Sequence, residues 1–165
     1  MKNSKFRIRP PKTSDVADLA VLYGEFTDPG QTGEYTPTAE DFKKEAEHAL
    51  EDMESGISRV FMAVDASNKP VGFAHVTSNG LNGDAFLTSL YTRPECRGKG
   101  VGSALMAECE RWVKQRGTSE IHLLVNATKT RTREMYEHRG YNDKNPGYQR
   151  IETPGSITMR KPLNL

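Results

Sequence analysis

Apolar residues recur along this chain with two different periods. Val16, Leu19, Ala20, Tyr23 and Phe26 fall at helical intervals behind a cap at Thr13 or Ser14. A second helical stripe runs through Phe42, Ala46, Ala49, Leu50 and Met53. Thr38 caps it, Asp41 stands three residues on as a capping-box partner, and Gly56 stops it. The period then changes to two. "SRVFMAVD" and "PVGFAHVTS" read as strands joined by the hairpin signal "ASNK", and "DAFLTSLYT" as a third strand. A third helical stripe follows, Val101, Leu105, Cys109, Trp112 and Val113, ending at Gly117. "EIHLLVNA" is apolar enough for a strand covered on both faces, and "TKTRTREMYEHRG" is a shorter helix closed by Gly140. "KFRIRPP" opens the chain as a short strand, and "GYQRIE" with "SITMRKPL" closes it as a hairpin.

The predicted order is β-α-α-β-β-β-α-β-α-β-β, about seven strands and four helices. Residues 84–125 form a strand-loop-helix-strand unit, which requires a parallel strand pair with a right-handed crossover. The three strands before it pair antiparallel. The fold class is therefore α/β, a mixed and mostly antiparallel sheet with one parallel pair and helices on its faces. At 165 residues the chain forms one domain, 1–165, large enough for a sizeable core.

Charge and composition narrow the function. The net charge of +1 gives no global reason to bind nucleic acid or an anionic membrane, and no apolar run is long enough to span a bilayer. The basic N-terminus lacks the apolar stretch of a secretory signal, so a cytoplasmic location with reduced thiols is expected. Cys96 and Cys109 have no metal-ligand spacing, and no metal is expected. Cys109 belongs to an apolar helix face, and Cys96 to a partly exposed loop.

The most informative stretch is "RPECRGKGVGSAL", Arg93 to Leu105. Gly98, Gly100 and Gly102 alternate with Arg97 and Lys99 nearby, between a strand and a helix N-terminus. Such a loop offers unpaired N–H groups at the positive end of a helix dipole, a site for phosphate. Neither common nucleotide motif fits. The P-loop spacing is absent, the dinucleotide fingerprint is only approximate, and the strand ending "LLVNA" carries no acid for a ribose. The last point argues against a nicotinamide oxidoreductase.

"LYTRPECRGKGVGSAL" resembles the acyl-CoA loop of the GNAT superfamily of N-acetyltransferases. Pro94 follows the strand, and Arg97, Gly100 and Gly102 fill the family's Arg/Gln-x-x-Gly-x-Gly/Ala pattern. "MYEHRGY" is similar to its Tyr-x-x-x-Gly-Phe/Tyr helix end, and "ITMRKPL" to its final strand. The resemblance covers most of the chain. It implies acetyl-CoA as acetyl donor, with the amides of Gly98, Lys99, Gly100, Val101, Gly102 and Ser103 on the pyrophosphate. It implies that Leu90, Tyr91 and Thr92 pair with the pantetheine arm, in a slot where the two parallel strands splay. Tyr136 becomes the general acid for the departing thiolate.

One position departs from the family pattern. An Asn commonly stands seven residues before the helix Tyr, and here Lys129 occupies it. Lys129, Arg131 and Arg133 then read either as phosphate contacts or as a solvated basic face.

The implied reaction is direct transfer to a primary amine of a small molecule or peptide, with a homodimer left open. An alkylamine is only about one part in 10³ neutral at pH 7, so a base or water chain must take a proton. The sequence offers no clear base. Leu124 occupies the family's Glu position. His122 and His75 are candidates that also read as packed histidines, and Glu25 and Glu34 lie in the segment expected to wall the acceptor pocket. A non-catalytic CoA-binding module is the alternative.

Overall fold

The computed structural model describes residues 5–27, 35–78, 85–143 and 155–163. Among the described residues six strands form one sheet in chain order: β1 (Phe6–Arg9), β2 (Ser58–Asp65), β3 (Pro70–Ser78), β4 (Ala85–Thr92), β5 (Glu120–Asn126) and β6 (Ser156–Pro162). Every adjacent pair is antiparallel except β4–β5. The helices are α1 (Val16–Phe26), α2 (Ala39–Ser55), α3 (Val101–Gln115) and α4 (Thr130–His138). The mixed α/β class and the parallel pair are as the periodicity predicts. The expected strand "GYQRIE", which would be a seventh, lies outside the described residues.

Two cores share the sheet. Leu19, Leu22 and Tyr23 of α1 and Ala46 and Ala49 of α2 close over Val60, Met62, Val64 and Phe73. On the other face, Val101, Leu105, Met106, Cys109 and Val113 of α3 cover Phe61, Ala63, Ala74 and Ile121, with Tyr136 and Tyr141 beyond.

The local signals act largely as read. Thr38 and Asp41 form the capping box of α2, and Gly56 ends it at φ 82°. In the β2–β3 turn, Asp65 Oδ1 accepts from Ser67 and Lys69 N–H, and Asn68 takes φ 63°. The start of α1 differs. Thr13–Asp15 form a 3₁₀ turn and Asp15 is the cap residue, its carboxylate accepting from Lys12 N–H and from Arg9. The Arg9 guanidinium holds the Asp15 carboxyl below its ordinary range. The Asp15 side chain makes no capping bond to α1; it is held instead by the Arg9 cation that a buried carboxylate needs.

Candidate active site

The site begins with a disturbance in β4. The β3–β4 register runs His75↔Ser89 and then Val76↔Leu87, so Thr88 is an extra residue with no partner opposite. This is a β-bulge, which bends a strand and shifts its side-chain phase. Ala85 and Leu87 lie in the α3 core before it, while Leu90 packs there after it, on even numbering. The β4–β5 ladder comprises only Phe86↔His122 and Leu87↔Leu123. From Thr88 and Leu124 onward the two strands diverge without further pairing.

The divergence leaves backbone groups facing an opening. Arg93 N–H donates to Val71 C=O across β3. By the two-residue alternation of an antiparallel ladder, Tyr91 also turns its backbone to β3, and Leu90 and Thr92 turn theirs toward the slot. Arg97 Nε takes the Thr92 carbonyl at 2.9 Å. Tyr91 therefore contributes its side chain rather than its backbone. Its ring packs at the margin of the α1 core, and its hydroxyl donates to Glu25 at 3.1 Å.

The slot opens onto the glycine loop. Gly98 at φ 78° and Gly100 at φ 88° both need the left-handed region that glycine alone enters freely. Gly100 is the N-cap of α3 and has no side-chain capping bond. Ala104 N–H is the first to close a helical bond, to Gly100 C=O at 3.0 Å. The amides of Val101, Gly102 and Ser103 are thus the orphan donors of a 15-residue helix. Gly102 has an ordinary φ, and its hydrogen points into open space apart from Thr92 Oγ1, 3.9 Å from where a Cβ would stand.

Slot and loop are one groove of about 1200 Å³. Leu90, Tyr91, Thr92, Arg97, Gly98, Gly100, Val101, Gly102, Ser103, Lys129 and Tyr136 all line it. Lys99, exposed, does not. Lys129 and Arg131 face the groove beside the start of α4. Arg133 does not join them. It pairs with Asp143 at 3.1 Å and Glu137 at 3.5 Å, partners that satisfy its charge elsewhere. Tyr136 is 8% exposed, its ring 5.8 Å from that of Tyr141, and burial pushes its phenol up to about 12.

The candidate bases separate. His122 is buried, stacked on Phe86 with ring centroids 5.3 Å apart, and 3.5 Å from Glu120, away from the groove. His75 lies on β3 against Tyr23. Glu25 lines the groove but is held by Arg93 through two bonds of 3.0 and 3.1 Å as well as by Tyr91. Glu34 lies outside the described residues. Phe26, within the 24–37 segment expected to wall the acceptor pocket, lines the groove, whereas the sequence reading missed Ser89, Asn126 and Met135. The bulge that turns Ser89 inward has no one-residue signature in "DAFLTSLYT".

An uncapped helix N-terminus, two left-handed glycines and flanking cations suit a diphosphate, and the opened strand edge suits an amide-bearing arm. Known proteins agree with that geometry. The model of the acetyltransferase (GNAT) family matches residues 22–141. An aminoglycoside N(6')-acetyltransferase type 1 of Stenotrophomonas maltophilia is 31% identical over 134 residues, covering 77% of this chain and 80% of that one. A PaiA N-acetyltransferase from Thermoplasma acidophilum, solved in complex with coenzyme A, superposes with a TM-score of 0.75 at 21% identity, covering 96% and 99% of the two chains. A GNAT-family acetyltransferase from Staphylococcus aureus Mu50 reaches a TM-score of 0.78 at 12% identity, covering 96% and 99%. With more than half its length matched by the family model, the chain belongs to the GNAT family of acetyltransferases.

Proposed function

We propose that this protein is an acetyl-CoA-dependent N-acetyltransferase that transfers acetyl directly to a primary amine of a small molecule or peptide. The observation that carries the reading is the continuity of the β4–β5 opening with the uncapped, glycine-lined start of α3. Acetyl-CoA, when bound, supplies the thioester. The amides of Gly98 to Ser103 hold its diphosphate, with Lys129 and Arg131 adding charge at the rim. Lys129 thus takes the place of the family's Asn as a contact to the donor. The outward backbone groups of Leu90 and Thr92 fix the arm as a missing strand would.

Tyr136 donates a proton to the departing sulfur. Its phenol stays protonated at neutral pH because burial disfavours the phenolate. With that proton the sulfur departs as the neutral thiol rather than as the thiolate. The acceptor enters on the α1 side, where Glu25, Phe26 and Leu124 line the groove. The aminoglycoside specificity of the Stenotrophomonas relative makes polyamino sugars the first acceptors to try, beside polyamines and peptide N-termini.

A CoA-binding module without turnover is favoured by one observation: the Glu25 carboxylate is already engaged by Arg93 and Tyr91. Thiol release from acetyl-CoA across a panel of amines separates the two. Amine-dependent release with an acetylated product supports the enzyme. Tight acetyl-CoA binding with no amine-dependent release in the whole panel supports the module.

A further inference from the structure

Tyr23 and His75 stand outside the groove lining, yet they form a polar pair in an otherwise apolar layer. His75 Nδ1 lies 3.2 Å from the Tyr23 hydroxyl, while Nε2 is buried with no hydrogen-bond partner among the described residues. Leaving one nitrogen of a buried imidazole unsatisfied costs about 1–3 kcal/mol, so such a group asks for a role. Its neighbour on β4 points to one. Ser89 is the register partner of His75, and paired residues share a face of the sheet. Ser89 also lines the groove. It does both only because the Thr88 bulge shifts the phase of β4. Thr88 Oγ1 donates to the His75 carbonyl at 3.1 Å, which pins the bulge to this histidine.

We propose that His75 is the proton acceptor of the transfer, receiving through the Ser89 hydroxyl the proton that the attacking amine nitrogen releases. This rests on the acetyltransferase reading above. As the nitrogen–carbon bond forms and the carbon–sulfur bond breaks, the nitrogen gives its proton to Ser89 Oγ. Ser89 passes its own proton through one bridging water to His75 Nε2, which no described side chain reaches directly, and Tyr136 supplies the proton that the sulfur gains. No oxidant or further reactant is needed. The tautomer that allows this has Nδ1–H donating to the Tyr23 oxygen, which leaves the Nε2 lone pair free.

The groups facing His75 suit the task. They are Tyr23 from α1, Asp52 from α2 and Ser89 from β4, with Val60 opposite on β2. Burial lowers the imidazole's affinity for protons, so it is neutral and ready to accept near pH 7. The Asp52 carboxylate opposes that shift and stabilises the imidazolium once formed. Glu45 and Asp52 also act on Tyr23, whose phenol is pushed above its ordinary range and stays protonated.

The test is the pH profile of kcat/KM for a confirmed amine in wild type, His75→Gln, Tyr23→Phe and Ser89→Ala, with unfolding midpoints and KM for acetyl-CoA measured beside it. Wild type should lose activity as pH falls through a limb below about 6.5, because a protonated base cannot accept. His75→Gln should lower kcat by about 10²-fold and remove that limb, with KM for acetyl-CoA unchanged. Ser89→Ala, a change at the groove surface, should lower kcat without moving the limb, and Tyr23→Phe should shift the limb. An active wild type whose limb and kcat survive in both His75→Gln and Ser89→Ala overturns the relay and leaves the acetyltransferase reading standing. A wild type that acetylates no amine overturns both. If His75→Gln does not fold, Ser89→Ala and Tyr23→Phe decide the matter by the same criteria.

Discussion

Gly72 and Tyr91 are in backbone contact: a Cβ at position 72 would stand 2.6 Å from the Tyr91 carbonyl oxygen and 3.4 Å from a Val101 methyl. The end of β4 and the first residue of α3 both settle onto β3 at this one point. Bare backbone there lets the glycine loop lie close to the sheet. Gly72→Ala should therefore destabilise the fold by about 1–3 kcal/mol through overpacking, read as a lower denaturant midpoint with unchanged slope. It should also weaken acetyl-CoA binding, since β4 or α3 must move. Full stability in the variant contradicts the contact.

Glu25 ties α1 to the end of β4 through Tyr91 and to Arg93 just beyond it. It also lines the end of the groove proposed to admit the acceptor. Its carboxylate is about one-third exposed, so solvent screens part of the effect. Glu25→Gln should raise acceptor KM by roughly three- to tenfold while leaving KM for acetyl-CoA unchanged. A change confined to the acetyl-CoA term would put Glu25 in the wrong half of the site.

Tyr136→Phe removes a hydroxyl and keeps the ring that packs on Tyr141. If the phenol protonates the leaving sulfur, kcat should fall by about 10²–10⁴-fold with little change in acetyl-CoA affinity or unfolding midpoint. Near wild-type kcat removes Tyr136 from the chemistry.

Much of this arrangement is legible in the residues themselves. Helix stripes, the Thr38–Asp41 box, Gly56 and the glycine loop are short-range features, each set by one or two neighbours in sequence. The bulge is not of that kind. Thr88 is singled out by where β3 and β5 lie, and with it the inward turn of Ser89. Nor could the pairing of Arg133 with Asp143 be read beforehand, because a chain turn brings that carboxylate back to α4. Gly72 looks like any glycine in a strand until α3 is laid over it. The choice among His75, His122 and Glu25 likewise depends on which side of the sheet and which partner each finds.

Among the described residues, three buried phenols should lower stability at alkaline pH. Tyr23, Tyr136 and Tyr141 all have their affinity for protons raised, chiefly by burial, and Tyr141 is further held by Glu110. Above about pH 10 the unfolded chain loses phenolic protons that the folded chain keeps, so the unfolded state binds fewer and stability falls with rising pH. Tyr136→Phe should flatten this decline between pH 10 and about 12, the level to which burial raises its phenol. Denaturant melts across that range provide the check, and a slope equal to wild type would refute the assignment.

Calorimetric titration of acetyl-CoA into wild type and Gly102→Val tests the central claim most directly. Gly102 has an ordinary backbone angle, and a Cβ there meets nothing beyond its own helix turn nearer than Thr92 Oγ1 at 3.9 Å, so the variant should fold, with circular dichroism as the check. Its side chain would nevertheless stand where the α3 amides are proposed to hold the diphosphate. Strong wild-type binding reduced by at least about tenfold in the folded variant is the predicted result. Equal affinity in the two proteins would contradict it and move the acetyl-CoA site away from the start of α3.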